Sequence, residues 1–132
     1  MKSGWRSTSR GSASVEFALV LPLVLVVGLA LLQVALFAKD QLILQEAARA
    51  GARQAAVSHD DATVRGAATA AAATLDSSRV QVAIERAAAS DGPVTVTVTY
   101  DAAVVIPIVR WLFPSQVRLA ARATMRQEGS DP

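Results

Sequence analysis

The run FALVLPLVLVVGLALLQVALFA, from Phe17 to Ala38, holds one strongly polar side chain, Gln33. As an α-helix it would extend roughly 33 Å, enough to cross a hydrocarbon core of about 30 Å. This run predicts a single membrane span and leaves residues 39–132 to build a small fold in water. A removable secretory signal has a shorter apolar region, about 7–15 residues, followed by small residues at the cut. Here Leu36 stands where a small residue is wanted before Ala38, so an anchor is the better reading. Pro22 removes a backbone donor and Gly28 lacks a side chain; both are tolerated in membrane helices and mark places where the span can bend or loosen.

Charge sets the expected orientation. Lys2, Arg6 and Arg10 precede the span, whereas Lys39 on its far side is followed at once by Asp40. The Lys/Arg bias predicts a cytoplasmic N-terminus and an extracytoplasmic region after Lys39. The net charge of +2 is spread without a basic cluster or interleaved aromatics, so no nucleic-acid partner is expected. With no cysteine there is no disulfide, thiolate metal site or cysteine nucleophile. Only six aromatic residues (three Phe, two Trp, one Tyr) are present, so the core must come from small aliphatic side chains.

Beyond the span, Ile43, Ala47, Ala50, Gln54 and Val57 share one helical face, while Leu42, Glu46, Arg49 and Arg53 make a mostly charged one. The membrane helix is expected to continue outward as an amphipathic helix to Val57 or Ser58. Ser58, His59, Asp60 and Asp61 then break the pattern and offer caps for a second helix, with Val64, Ala68, Ala71 and Leu75 as its apolar stripe. From Val80 the period becomes two. Val80, Val82 and Ile84 form one strand, Val94, Val96, Val98 and Tyr100 a second, and Val117 to Met125 a third. Turn residues Ser90 to Pro93 separate the first two strands. Pro107 and Pro114 make the segment between the last two a loop or short helical turn, and the tail after Glu128 is expected to be frayed. The fold class is α+β: a long N-terminal transmembrane helix extending into an amphipathic helix, a second short helix, and an antiparallel sheet of about three strands.

Little here resembles catalytic equipment. His59 is the sole histidine and has no second ligand at metal-binding spacing, and Asp60 and Asp61 are better read as helix caps than as an acid–base pair. No nucleophile–base pair, phosphate loop or metal constellation is legible, so no enzyme, cofactor, metal or small-molecule substrate is expected. Arg110, Trp111 and Phe113 form a candidate partner surface, with packing over the sheet as the alternative. Arg118, Arg122 and Arg126 fall on one strand face and read as a solvated or subunit-contacting surface.

One further pattern joins these parts. Gly11 is followed five residues later by Glu16 and then Phe17, the apolar helix and QEAARAGARQAAV from Gln45 to Val57. With the helix-then-sheet arrangement, this resembles the TadE-like pseudopilins, minor pilin-like proteins of tight-adherence (Tad/Flp) type IV pilus systems. The resemblance implies a basic leader over residues 1–11, cut between Gly11 and Ser12 by a membrane-embedded prepilin peptidase. It also implies an assembly helix over 12–38 and an extracytoplasmic pseudopilin domain over 39–128, ahead of the 129–132 tail. Ser12 stands where the commonest type IV pilins carry phenylalanine, and small residues occur there in the Tad branch.

In related pilins the acid at Glu16 pairs with the free amine of a neighbouring subunit, which would make Glu16, with Pro22 and Gly28, an assembly residue. The other reading leaves Glu16 at headgroup level, reaching water and ending the apolar run. The implied function is a structural minor pilin or pseudopilin. Its partners would be the peptidase, other Tad pilins, the inner assembly platform and membrane lipid. The alternative is an uncleaved single-pass anchor carrying a small extracytoplasmic binding or secretion-accessory domain.

Overall fold

The computed structural model describes residues 9–89 and 91–128. Lys2 and Arg6 of the basic leader, the turn residue Ser90 and the tail 129–132 lie outside the described residues. The first helix, α1, runs from Ser9 to Val57 and continues without interruption through Pro22 and Gly28. At 1.5 Å per residue it is roughly 74 Å long. Only 6% of its most apolar eighteen-residue window is buried, so the apolar half of α1 is not the core helix of a soluble fold. It is long and apolar enough to cross a membrane.

The outer half of α1 lies on a three-stranded antiparallel sheet of order β1-β2-β3, with β1 Val80–Arg86, β2 Pro93–Ala103 and β3 Gln116–Arg126. Val96 of β2 is opposite Ile84 of β1 and Ala123 of β3. This register keeps the apolar sets of all three strands on one side, as the period of two requires. Val94, Val96, Val98, Tyr100 and Ala102 are buried beneath the helices. The opposite face is polar: Arg118 pairs with Asp101 at 2.9 Å, and the hydroxyls of Thr95 and Thr124 are 2.8 Å apart. Arg118, Arg122 and Arg126 are all exposed there, as their alternation predicted.

Both sheet edges meet a helix side chain. Gln41 of α1 donates to the Ala120 carbonyl of β3 at 2.8 Å. Arg65 of the second helix, α2 (Asp61–Ala71), donates to the Val82 carbonyl of β1 at 3.4 Å. Edge carbonyls occupied in this way are less available for pairing with a foreign strand.

The contacting face of α1 differs from the expected one. Leu44, Ala47, Ala48, Ala52 and Ala55 are fully buried, Ile43, Ala50 and Gln54 are half-buried, and Val57 is exposed. The reason is close approach. A Cβ added to Gly51 would lie 2.9 Å from Val96 Cγ1 and 3.2 Å from Ala68 Cβ, so α1 turns its smallest residues toward both β2 and α2. The stripe of α2 is corrected in a similar way. Ala71 is exposed and Ala72 is buried, because the helix ends at Ala71 and the chain turns inward before Leu75.

Gly51→Ala sets two effects against each other. Alanine is favoured over glycine in a helix by about 1 kcal/mol, but overpacking a filled core costs about 1–3 kcal/mol. The expected result is a net loss of about 1 kcal/mol, because β-branched Val96 cannot easily move aside. Gly66→Ala on α2, with nothing within 4 Å of the new Cβ, should instead stabilise by about 1 kcal/mol. Denaturant titration of the detergent-solubilised protein compares the two variants. A Gly51→Ala protein as stable as Gly66→Ala would refute the close-packing account.

Asp60 caps α2, accepting from the amides of Ala62 at 3.1 Å and Thr63 at 3.2 Å and from the Thr63 hydroxyl. The Thr63 hydroxyl, followed by those two amides, holds its carboxyl below the usual carboxylate range. A depressed carboxylate stabilises the fold at neutral pH, and that contribution is lost as pH falls through the lowered value.

Candidate functional site

At the N-terminal end of α1, Glu16 sits one helical turn after Ser12, whose Oγ donates to Glu16 Oε1 at 3.4 Å. Gly11, Ser12, Glu16 and Phe17 are all exposed, Phe17 at 66%. Among the described residues, a Cβ at Gly11 or Gly28 would meet nothing within 4 Å. Packing among the described residues therefore requires glycine at neither position. The apolar surface around them, including Leu19, Val20, Leu23 and Val24, is likewise uncovered.

The second region lies where the apolar half of α1 meets the globular part. The chain leaving β2 reaches a 3₁₀ turn, Pro107–Leu112, started by a proline whose missing N–H is no loss at that position. Gln33 Oε1 accepts from the amides of Val105 at 3.1 Å and Ile106 at 3.3 Å, and the Gln33 side chain is buried. One turn further along α1, the rings of Phe37 and Phe113 meet edge to face with centroids 6.0 Å apart. The structure thus divides the Arg110, Trp111 and Phe113 group. Phe113 packs, though on α1 rather than over the sheet, whereas Arg110 and Trp111 are exposed. Close by on α1, partial burial pushes the Asp40 carboxyl up, and neighbouring Lys39 opposes the shift.

Two positioning residues escaped the sequence reading. Gln33 was noted only as the polar exception in the apolar run, yet that exception was the available signal. Arg86, at the end of β1, ties three elements together. Its Nη2 is 2.9 Å from Asp61 Oδ1 and 3.2 Å from the Ser58 carbonyl, and Nη1 is 3.3 Å from the Ala55 carbonyl. His59, beside this junction, is exposed.

A helix long and apolar enough to cross a membrane thus continues into an α+β head, with an acid at the start of its apolar run. The family model described as TadE-like protein matches residues 11–53. The chain thus carries a TadE-like segment, in agreement with the resemblance at Gly11, Glu16 and Phe17, and this supports a Tad-pilus-associated pilin-like protein. The match ends at Arg53, inside α1, and does not extend to the sheet. No curated protein and no solved structure matches the chain.

Proposed function

We propose that the protein is a non-enzymatic minor pilin or pseudopilin, cleaved between Gly11 and Ser12, whose helix joins a Tad pilus or its assembly machine. The N-terminus lies in the cytoplasm and the globular part outside, following the basic residues ahead of the span. Its partners are a prepilin peptidase, other Tad pilins and the inner assembly platform. The observation that carries this reading is the uncovered N-terminal segment. Glu16 has only Ser12 of its own helix as partner among the described residues, and Gly11 has a conformation and surroundings that other residues would accept. A small residue there fits a requirement imposed from outside the fold, such as a peptidase site. After cleavage the amine of Ser12 would stand one turn from Glu16, so pairing with a neighbouring subunit's amine competes with pairing inside the same helix.

One experiment tests both halves. The wild-type chain and Glu16→Gln are each coexpressed with a Tad prepilin peptidase, then analysed by mass spectrometry and by crosslinking to other pilins. Both should begin at Ser12. Crosslinking by Glu16→Gln should fall at least roughly tenfold, since breaking a poorly solvated ion pair costs about 3–5 kcal/mol. A chain retaining Met1 beside active peptidase favours the uncleaved anchor. Undiminished crosslinks from a correctly cleaved variant would leave Glu16 as a boundary residue.

A further inference from the structure

We propose that the Pro107–Leu112 turn is a second membrane contact, a wedge that enters the lipid headgroup–acyl boundary beside α1 on the globular side of the span. Beyond α1, every exposed large hydrophobic side chain among the described residues lies in this connection: Val105 at 69%, Ile108 at 61%, Trp111 at 74% and Leu112 at 44%. Among the described residues, the rest of the globular part shows no such concentration. Four apolar side chains held open within eight residues form a surface that water disfavours.

Position identifies what covers it. The turn is fastened to α1 at Gln33 and Phe37, both within the apolar run Phe17–Ala38. Gln33 lies roughly 7.5 Å along the helix axis before the end of that run. On α1 at the same level, Leu31, Leu32 and Val34 are exposed. The apolar surface of the turn is therefore continuous with the lipid-facing surface of the span, and a bilayer that covers one reaches the other.

The backbone is suited to that depth. Irregular chain is tolerated near hydrocarbon only where its polar groups are satisfied internally. Gln33 accepts from two consecutive amides at the entrance to the turn, Val109 N–H donates to Ile106 O, and Pro107 and Pro114 have no N–H to satisfy. Trp111 has the amphipathic ring favoured at a membrane interface, and exposed Arg110 on the same turn is long enough to reach lipid phosphate.

The proposal rests on the reading of Phe17–Ala38 as a membrane span, so the test examines the two separately. Trp5→Phe leaves Trp111 as the sole tryptophan of the full chain, which is reconstituted into phosphatidylcholine–phosphatidylglycerol vesicles. Flotation reports the span; a chain that does not float overturns both claims. In floated vesicles, Trp111 emission should be blue-shifted, shielded from aqueous acrylamide and quenched most strongly by lipids brominated at the headgroup end of the acyl chain. Ile108→Asp, a change at an exposed position, should shift the emission to the red and remove most of that quenching while flotation persists. Floated protein whose Trp111 ignores lipid bromines overturns the wedge. In that case, acrylamide access would place the turn in water, and acrylamide shielding would place it against another protein copy.

Discussion

Arg86→Met is expected to lower the stability of the globular part by about 3 kcal/mol, read as roughly 100-fold faster hydrogen exchange in the slowest amides of β2. The helix it serves ends without its own means of closure. α1 has no basic residue in its last turn, and the last four carbonyls of any helix lack intrahelical donors. Distant parts of the chain supply donors instead. Glu128 N–H donates to the Ala56 carbonyl at 3.0 Å, and the Arg86 guanidinium serves the Ala55 and Ser58 carbonyls while pairing with Asp61. Hydrogen bonds to a charged group contribute about 1.5–3 kcal/mol each, but water can partly replace the guanidinium at a helix end. Asp61 is half-exposed, so that ion pair adds at most about 1 kcal/mol. Arg86→Lys separates charge from shape. An ammonium keeps the charge but cannot fork among three acceptors, so about half of the loss should return. Exchange in Arg86→Met as slow as in the wild type would show that the junction does not depend on this side chain.

The strands and the extent of α1 were legible because their signals are local. Alternation of Val80, Val82 and Ile84, or of Val94, Val96 and Val98, permits only one inward face. The same alternation, continued one step, places Arg86 inward, but alternation along one strand does not reveal the acceptors at Ala55, Ser58 and Asp61 that its guanidinium reaches. The face of α1 was less legible because Ala47, Ala48, Ala50, Ala52, Ala55 and Ala56 surround the helix with nearly equal apolarity. Closeness of approach, set by Gly51 against Val96 and Ala68, decided which of them became core. At the candidate sites, the Gly11, Glu16, Phe17 pattern could be read in the sequence because it is short and linear. The attachment of the Pro107–Leu112 turn to Gln33 could not, since it joins residues 72 and 73 positions apart and depends on how the sheet returns the chain to α1.

That attachment leads to the second large expected effect. Gln33→Met keeps the length and apolar stem of the side chain and removes the oxygen that accepts from Val105 and Ile106. Two effects oppose each other. Gln33 Nε2 is buried without a partner among the described residues, so methionine relieves one unsatisfied donor and leaves two amides without an acceptor. Each buried orphan costs about 1–3 kcal/mol, so orphaning two amides outweighs relieving one donor by about 2 kcal/mol. In vesicles, exchange at Val105 and Ile106 should then accelerate roughly 30-fold, while the β1–β2 amides remain protected because they lie beyond the turn. The solvent around the turn determines whether this penalty is seen. If the turn stood in water, the freed amides would bond to water, and removing the unpartnered Nε2 would leave the protein no less stable. Unchanged protection at Val105 and Ile106 would therefore reject Gln33 as the group that holds the turn against α1.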